Sequence, residues 1–111
     1  MAVRTTLLAS GRRTDATLAV VYTCPDGTTT ILKDVTLFNV STSASITVLV
    51  AMDAGAFNQT PWFETTLAPR ARAHLETWSV LLPGMEIAVR GDVAGSCNYW
   101  LSGTELEGVA S

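Results

Sequence analysis

Lysine and histidine are nearly missing from this sequence of 111 residues. Lys33 is the one lysine and His74 the one histidine, and charged residues make up 15% of the chain. An average globular protein has roughly 25%. The net charge is −3 and the arginines form no basic stripe, so contacts to a phosphate backbone have little to act through. Nucleic acid is therefore not an expected partner.

Long apolar runs and export signals are also missing. No stretch approaches about 18 uninterrupted apolar residues, so we predict no transmembrane helix and no membrane partner. Residues 1–11 contain no charged segment followed by an apolar one, so we expect no signal peptide and folding in a cytoplasm. The two cysteines, Cys24 and Cys97, allow one disulfide at most. Without export, free buried thiols are favoured over the pair.

The sequence has few residues that could form a catalytic or a metal-binding site. A Ser-His-Asp or Cys-His site would have to use His74. Arg72 and Glu76 share its strand face, which indicates a polar surface with cross-strand partners. A metal site would need a carboxylate to complete one histidine and two distant cysteines, and no closely spaced pair of ligands is present. We therefore expect no catalytic residues, no metal, no cofactor and no enzymatic activity.

Apolar residues are what the sequence has in abundance. Hydrophobic residues make up 48% of the chain and the mean hydropathy is +0.31. A small domain has much surface for its volume and normally needs many polar residues to cover it. The excess predicts that some apolar surface is buried against another chain. A homo-oligomer is the simplest arrangement that does this.

The apolar residues alternate with a period of two, which is typical of β-strands. In residues 44–53, alternate positions are apolar and predict a strand with one face in a core. In the strand before it, Ile31, Val35 and Leu37 are predicted to share one face, which is interrupted by Lys33. Strands are expected near residues 2–9, 16–24, 28–39, 44–53, 62–68, 72–82, 85–90 and 96–106.

Turn residues separate these strands at intervals of about ten residues, as in sandwiches and barrels. The sequence CPDG at 24–27 predicts a hairpin turn, and Pro83 with Gly84 predicts a type II turn. The pattern predicts a single all-β domain over residues 1–111, an antiparallel two-sheet β-sandwich of about eight strands. The sandwich is expected to be jelly-roll-like, with an immunoglobulin-like arrangement as the alternative. Strand order is left open.

Aromatic residues are the main candidates for contact with a partner. Trp62 and Phe63 follow the longest connection and could stack on sugar rings, although plugging the sandwich end or contacting a subunit is favoured. Tyr99 and Trp100 are predicted to point to opposite faces of the last strand. At least one of them is then expected to meet something other than its own core. Trp78 is predicted to be a core residue.

The first strand is a further candidate for contact between subunits. Residues 1–10 alternate in a way that would allow the strand to be exchanged with, or to pair on, the sheet edge of a neighbouring subunit. Leu7 and Leu8 are its interface candidates.

Several short motifs follow one another along the chain. They run from ILKDVTLFN at 31–39 through a Ser/Thr turn to ITVLV at 46–50, then LLPGMEIAV at 81–89 and LSGTEL at 101–106. Over about residues 28–107 this resembles the small β-sandwich virion proteins of tailed bacteriophages, found in the tail, neck or head surface. The resemblance implies a structural subunit of the virion, folded in the host cytoplasm. It also implies a homo-oligomer, such as a trimer, that contacts other virion proteins, and it supplies no catalytic residues.

Two other functions are alternatives to this one. A carbohydrate-binding module for host-surface glycans could use Trp62, Phe63 or Trp100. An enzyme with a cupin-like fold is the weakest alternative, because such sites use several histidines and this chain has one.

Overall fold

Eight β-strands account for most of the residues that the computed structural model describes, which are 2–13, 16–53 and 60–107. They are β1 (Ala2–Arg13), β2 (Ala19–Thr23), β3 (Thr28–Asn39), β4 (Ile46–Asp53), β5 (Thr60–Leu67), β6 (Arg72–Leu81), β7 (Glu86–Gly91) and β8 (Cys97–Glu107). The all-β class and the eight strands predicted from alternation are confirmed. Within these residues, no helix has the length and apolar character needed to cross a membrane.

The strands form two antiparallel sheets of four. The first sheet has the order β1-β8-β3-β6 and the second has the order β2-β7-β4-β5. Strands pair as β1 with β8, β2 with β7, β3 with β6 and β4 with β5, and successive pairs alternate between the sheets. This pairing is that of one long hairpin rolled up on itself, which is the jelly roll. The first strand pairs here with β8 of its own chain. Exchange of residues 1–10 stays a prediction, because an exchanged strand would occupy the same position beside a neighbour's β8.

The core lies between the two sheets. Each sheet contributes the apolar residues of its inner face, with Leu37 and Leu101 from the first sheet and Val50 and Ile87 from the second. All four side chains are fully buried. Burying one such side chain stabilises the fold by about 1.5–3 kcal/mol. The buried core therefore consists mainly of aliphatic side chains from the inner faces of the strands, together with Cys24 and Cys97.

The alternation in β3 is interrupted at Lys33. The pairing of β3 with both β6 and β8 shifts register between Leu32 and Asp34. As a result Leu32 faces the core together with Val35, whereas Ile31 is only partly buried. The predicted shared face of Ile31 and Val35 is therefore wrong, because an irregularity of one residue moves the following side chains to the opposite face.

Turns join the strands as the sequence indicates. The Met85 amide donates to the Leu82 carbonyl at 3.0 Å, and Gly84 between them has φ of 88°. A hydrogen bond across four residues with positive φ at the third defines a type II turn. Gly27 has φ of 72° in the turn between β2 and β3. The type II turn at Pro83 and Gly84 is confirmed. Residues 24–27 form a turn as well, but the predicted hairpin there is wrong, because β2 and β3 lie in different sheets and pair with other strands.

A buried amide holds together one end of the sandwich. The Asn39 Nδ2 atom donates to the carbonyls of Ala44, Leu67 and Ala68 at 2.8, 3.1 and 3.1 Å. Its Oδ1 atom accepts from the Ser41 amide at 2.9 Å. The side chain thereby ties the end of β3 to the start of β4 and to the loop before β6. This tie positions the first residues of β6, which contribute to the site below.

Candidate functional site on the outer face of the first sheet

The face of the first sheet that points away from the second sheet is called here the outer face. It is clearest on β6, where exposed and partly buried positions alternate along the strand. The exposed positions are Arg72, His74, Glu76, Trp78 and Val80. Because β6 is an edge strand of its sheet, these side chains have a neighbouring strand on one side only. The outer face has an apolar, a polar and a cationic part, and these side chains contribute to all three.

The apolar part, called here the apolar edge, consists of Trp78, Val80 and Leu82. Their side chains are 74%, 55% and 56% exposed. The prediction that Trp78 is a core residue is therefore wrong. Strand alternation turns Thr77 and Ser79 inward instead, and their hydroxyls lie 2.8 Å apart in a hydrogen bond that satisfies both.

The polar part lies in the middle of the face. The His74 Nε2 atom is 3.0 Å from Asp34 Oδ1, which is a cross-strand partner of the kind the sequence predicted for His74. Glu76 is the residue opposite Asp34 in the register. One ligand atom from each of the three lies within 4.8 Å of the others. Sequence reasoning missed this group because Asp34 is 40 residues from His74 and joins it only through strand pairing. The expectation of no metal stays a prediction.

The cationic part is a groove of about 580 Å³ across β1, β8, β3 and β6. Arg12 and Arg72 line it, together with the aromatic rings of Phe38 and Trp100. No Asp or Glu is among its lining residues. In a chain with a net charge of −3, this combination of two arginines and no carboxylate makes the groove a local site of positive charge. It is called here the arginine groove.

Strand register explains how distant residues meet in the arginine groove. Arg12, Asn98, Phe38 and Arg72 occupy one row across the four strands. The neighbouring row contains Ser10, Trp100, Thr36 and His74. The two rows are two residues apart along each strand, and side chains two apart lie on the same face.

The arginines in and beside the groove differ in their contacts. The Arg12 Nε atom donates to Asn98 Oδ1 at 3.1 Å. The guanidinium of Arg70, in the turn before β6, lies 5.5 Å from the centre of the Phe38 ring, within the range of a cation–π contact. Among the described residues, the Arg72 side chain has no hydrogen-bond or ion-pair partner. Its guanidinium is therefore available to a ligand.

Two of the predicted contact residues lie away from this face. Trp62 and Phe63 are on β5, an edge strand of the second sheet. Both are partly buried and pack against the core, with ring centres 6.4 Å apart in an edge-to-face arrangement at 61°. A register shift between Val50 and Ala51 leaves Trp62 without an opposite residue. The two rings are therefore not an open stacking platform within a single chain.

Tyr99 and Trp100 lie on opposite faces of β8. Tyr99 packs against the core, and Trp100 is 53% exposed on the outer face. On β1, Leu7 is 45% exposed whereas Leu8 packs against the core. A register shift between Leu7 and Ala9 turns Leu8 inward. The structure thus brings Trp100 into the arginine groove and places Leu7 on the same sheet.

Both cysteines are free and buried. Burial raises the pKa of the Cys97 thiol to about 11, and the charge of Arg13 lowers it in part. The Cys24 Sγ atom lies 3.3 Å from the Thr28 carbonyl and 3.4 Å from the Leu81 carbonyl. Neither thiol is placed to react at the surface.

Comparison with known proteins identifies similarity of structure and not of sequence. No protein-family model and no curated protein matches the chain. A protein from Bacillus endospore appendages, described as disulfide-linked pili, matches with a TM-score of 0.56 and 12% identity. The match covers 97% of this chain and 88% of that one, and at this identity it shows a shared fold.

Two chains of infectious bursal disease virus, from the Gt and Gx strains, match with TM-scores of 0.42 and 0.36. Their identities are 9% and 8%, and the matches cover 93% and 99% of this chain. This chain spans about a third of their length, at 31% and 33%.

Proposed function

We propose that this protein is a structural subunit of a tailed-bacteriophage particle that assembles with copies of itself through the apolar edge. The observation that carries the proposal is the exposure of Trp78, Val80 and Leu82 along an edge strand. The assembly is a homo-oligomer such as a trimer. Its place is the tail, neck or head surface of the virion, where it contacts other virion proteins after folding in the host cytoplasm.

An edge strand offers unpaired backbone groups to any other strand, and proteins that stay monomeric protect such edges with charges, prolines or bulges. The second half of β6 carries no charged residue and no proline, although its pairing with β3 is irregular between Leu32 and Asp34. It presents a tryptophan, a valine and, just beyond the strand, a leucine. A second subunit that covers these residues would remove both the apolar exposure and the unpaired edge. This also accounts for the low proportion of charged residues in the sequence.

Lys33 restricts the orientation of Trp78 in the apolar edge. Its ammonium lies 4.7 Å from the centre of the Trp78 ring, which is a cation–π contact of about 0.5–1 kcal/mol at an exposed site. The contact holds a large aromatic side chain in one orientation before a partner arrives. An aromatic residue whose rotamer is already restricted loses less entropy on association.

The fold similarity supports an assembled role without identifying the particle. The matching Bacillus protein belongs to pili, and its chain is of similar length to this one. The assignment to a tailed-bacteriophage particle comes from the motif succession over about residues 28–107. Those pili are described as disulfide-linked, whereas both cysteines of this chain are buried. We therefore propose a non-covalent assembly.

The proposal assigns no catalytic residue and no enzymatic activity. His74 is hydrogen-bonded to Asp34. Among the residues that the structure describes, no serine or cysteine forms a hydrogen bond with the His74 ring. The pair is accounted for as a polar cross-strand contact.

Light scattering across a concentration series tests the assembly. We expect the wild-type mass to be a multiple of 11.8 kDa. Val80→Asp is expected to reduce it to the monomer, because a carboxylate would have to be buried unpaired in the subunit contact. Val93→Asp is the matched control, since Val93 is an exposed valine (39%) in the loop between β7 and β8. A wild-type monomer at every concentration, or a Val80→Asp oligomer of unchanged mass, would contradict the proposal.

A further inference from the structure

We propose that the arginine groove binds a carboxylate-bearing sugar residue, such as a uronic acid or a sialic acid of a surface polysaccharide. This goes beyond the assembly role and does not rest on it. The groove is a separate feature of the outer face, with its own charge, its own aromatic surface and its own hydrogen-bonding groups.

The charge of the groove selects an acidic ligand. Arg12 and Arg72 line it, no carboxylate does, and the Arg70 guanidinium lies beside it over the Phe38 ring. A planar guanidinium matches the geometry of a carboxylate and can bind it through two parallel hydrogen bonds. An acidic protein that gathers unpaired arginine at one place provides electrostatic complementarity for an anion there.

The aromatic surface of the groove suits a sugar ring. Trp100 is more than half exposed, and Phe38 lies diagonally from it, because Trp100 is opposite Thr36 and Phe38 is opposite Asn98. Diagonal neighbours in an antiparallel pair are about 7–8 Å apart. A pyranose ring presents C–H groups on one face, which pack on an aromatic ring, while its hydroxyls point outward.

The polar side chains between these rings suit the hydroxyls. Thr36 and Asn98 alternate with the two aromatic residues on the floor of the groove. Asn98 accepts from Arg12 Nε, which orients the amide and leaves its two N–H donors for a ligand. Arg12 keeps the N–H donors of its terminal nitrogens, because a guanidinium has five in all. The groove thus offers donors beside an apolar platform, which is the pattern of a specific small-ligand site.

Size and position favour a sugar over a neighbouring subunit as the occupant. A volume of about 580 Å³ lies within the range of about 300–1,000 Å³ that is common for small-ligand sites. Arg72 and Val80 are eight residues apart on β6, which corresponds to about 27 Å at 3.4 Å per residue. The groove and the apolar edge therefore lie at opposite ends of the outer face, and a subunit covering one leaves the other open.

Calorimetric titration with four probes tests the proposal. The acidic probes are trigalacturonate and 3′-sialyllactose, and the neutral counterparts are the methyl ester of trigalacturonate and lactose. We expect at least one acidic probe to bind at least tenfold more tightly than its neutral counterpart. The affinity is expected to fall when salt is raised from 50 to 500 mM, because ion pairing at an open groove is screened. Which acidic probe binds distinguishes a uronic acid from a sialic acid.

Substitutions locate the binding. Trp100→Ala and Arg72→Gln are each expected to weaken it at least tenfold. Val93→Ala is the control, because Val93 is an exposed residue of the loop between β7 and β8, outside both the groove lining and the apolar edge, and it is expected to change the affinity less than twofold. Far-ultraviolet circular dichroism and thermal unfolding verify that each variant is folded.

Any of four results would overturn the proposal. The first is the absence of binding to both acidic probes at millimolar concentration. The second is equal binding of the neutral counterparts, and the third is an equal loss of affinity in Val93→Ala. The fourth is a reduced oligomer mass in Trp100→Ala and Arg72→Gln without any sugar binding, which would assign the groove to a contact with another protein chain.

Discussion

The phenol of Tyr22 on β2 donates a hydrogen bond to the carboxylate of Glu105 on β8, with 2.8 Å between the two oxygens. The same phenol oxygen is 2.7 Å from the Thr30 hydroxyl on β3. Since the phenol has one proton and Glu105 can only accept it when ionised, Thr30 donates to Tyr22. These bonds join the second sheet, which contains β2, to the first sheet, which contains β3 and β8. Burial raises the pKa of Tyr22 well above its usual range; the hydrogen bond with Thr30 lowers this pKa in part, and the contact with Glu105 raises it further.

Tyr22→Phe should lower the free energy of unfolding by about 1–3 kcal/mol, because it leaves the partly buried Glu105 carboxylate and the buried Thr30 hydroxyl without this partner. Urea denaturation followed by fluorescence measures the change. Tyr99→Phe is the matched control, because among the described residues the Tyr99 phenol forms no hydrogen bond, and it should cost less than about 0.5 kcal/mol. Equal losses in the two variants would show that the Tyr22 contacts add nothing.

The stability of the fold should fall between about pH 9 and pH 11 through Cys97. The folded state holds the thiol proton more tightly, with a pKa of about 11 against the ordinary value of 9.0. This stabilisation is complete below the unfolded pKa and is lost as the pH rises through the folded pKa. Urea denaturation of wild type and Cys97→Ala at pH 8, 9, 10 and 11 measures the effect.

The difference between these two proteins isolates Cys97 from other groups that titrate at high pH, including Tyr22. We expect the wild type to lose more stability than Cys97→Ala over this range. Parallel losses in the two proteins would show that Cys97 is not the group responsible.

Gly103→Ala should be strongly destabilising. A Cβ atom at Gly103 would overlap the Ile31 carbonyl oxygen on β3, and this backbone group cannot move without breaking the pairing of β3 with β8. We expect a loss of about 3 kcal/mol or more, or failure to fold. Thermal unfolding of the soluble fraction measures it.

Gly11→Ala serves as the comparison for Gly103→Ala. There the nearest atom to an added Cβ is the Tyr99 hydroxyl oxygen at 3.0 Å, the end of a side chain that can move. Its cost should be clearly smaller, and an equal melting temperature for both variants would contradict the close approach at Gly103.

Asn39→Ala should lower the free energy of unfolding by about 2–4 kcal/mol, because three backbone carbonyls and one amide lose their partner at the end of the sandwich. Asn39→Asp keeps the shape but places a carboxylate against those carbonyls, so it should be at least as destabilising at neutral pH. Chemical denaturation of both variants measures this. A loss below about 0.5 kcal/mol in Asn39→Ala would mean that the carbonyls find water or backbone partners instead.

Strand positions followed well from sequence because alternation and turn residues are local properties. The predicted strand at 28–39 and the observed β3 have the same bounds, and Gly84 adopts the positive φ that its turn requires. The side chain directions within β3 were harder to obtain. Nothing in the neighbouring sequence indicates the irregularity at Lys33. It places Leu32 in the core and leaves Ile31 only partly buried.

Trp78 shows a different limit of sequence reasoning. A large aromatic residue in an apolar segment is assigned to the core because of its composition. A strand has two faces, however, and only the position of the partner sheet decides which face is buried. Thr77 and Ser79 can face inward because they satisfy each other's hydroxyls. The exposed face of β6 therefore carries the tryptophan, and with it the surface on which the assembly proposal depends.

By itself, the sequence determined the all-β class, the eight strands, the main turns and the excess of apolar residues, since each depends on neighbours along the chain. The tertiary structure decided the jelly-roll order of the strands and the outer face of the first sheet. It also brought Arg12, Phe38, Arg72 and Trp100 together in one groove. These residues are separated by up to 88 positions (100 − 12), and their meeting depends on which strands pair and in which register. Many strand orders bury the same alternating apolar faces, so the choice among them comes from packing the whole chain at once.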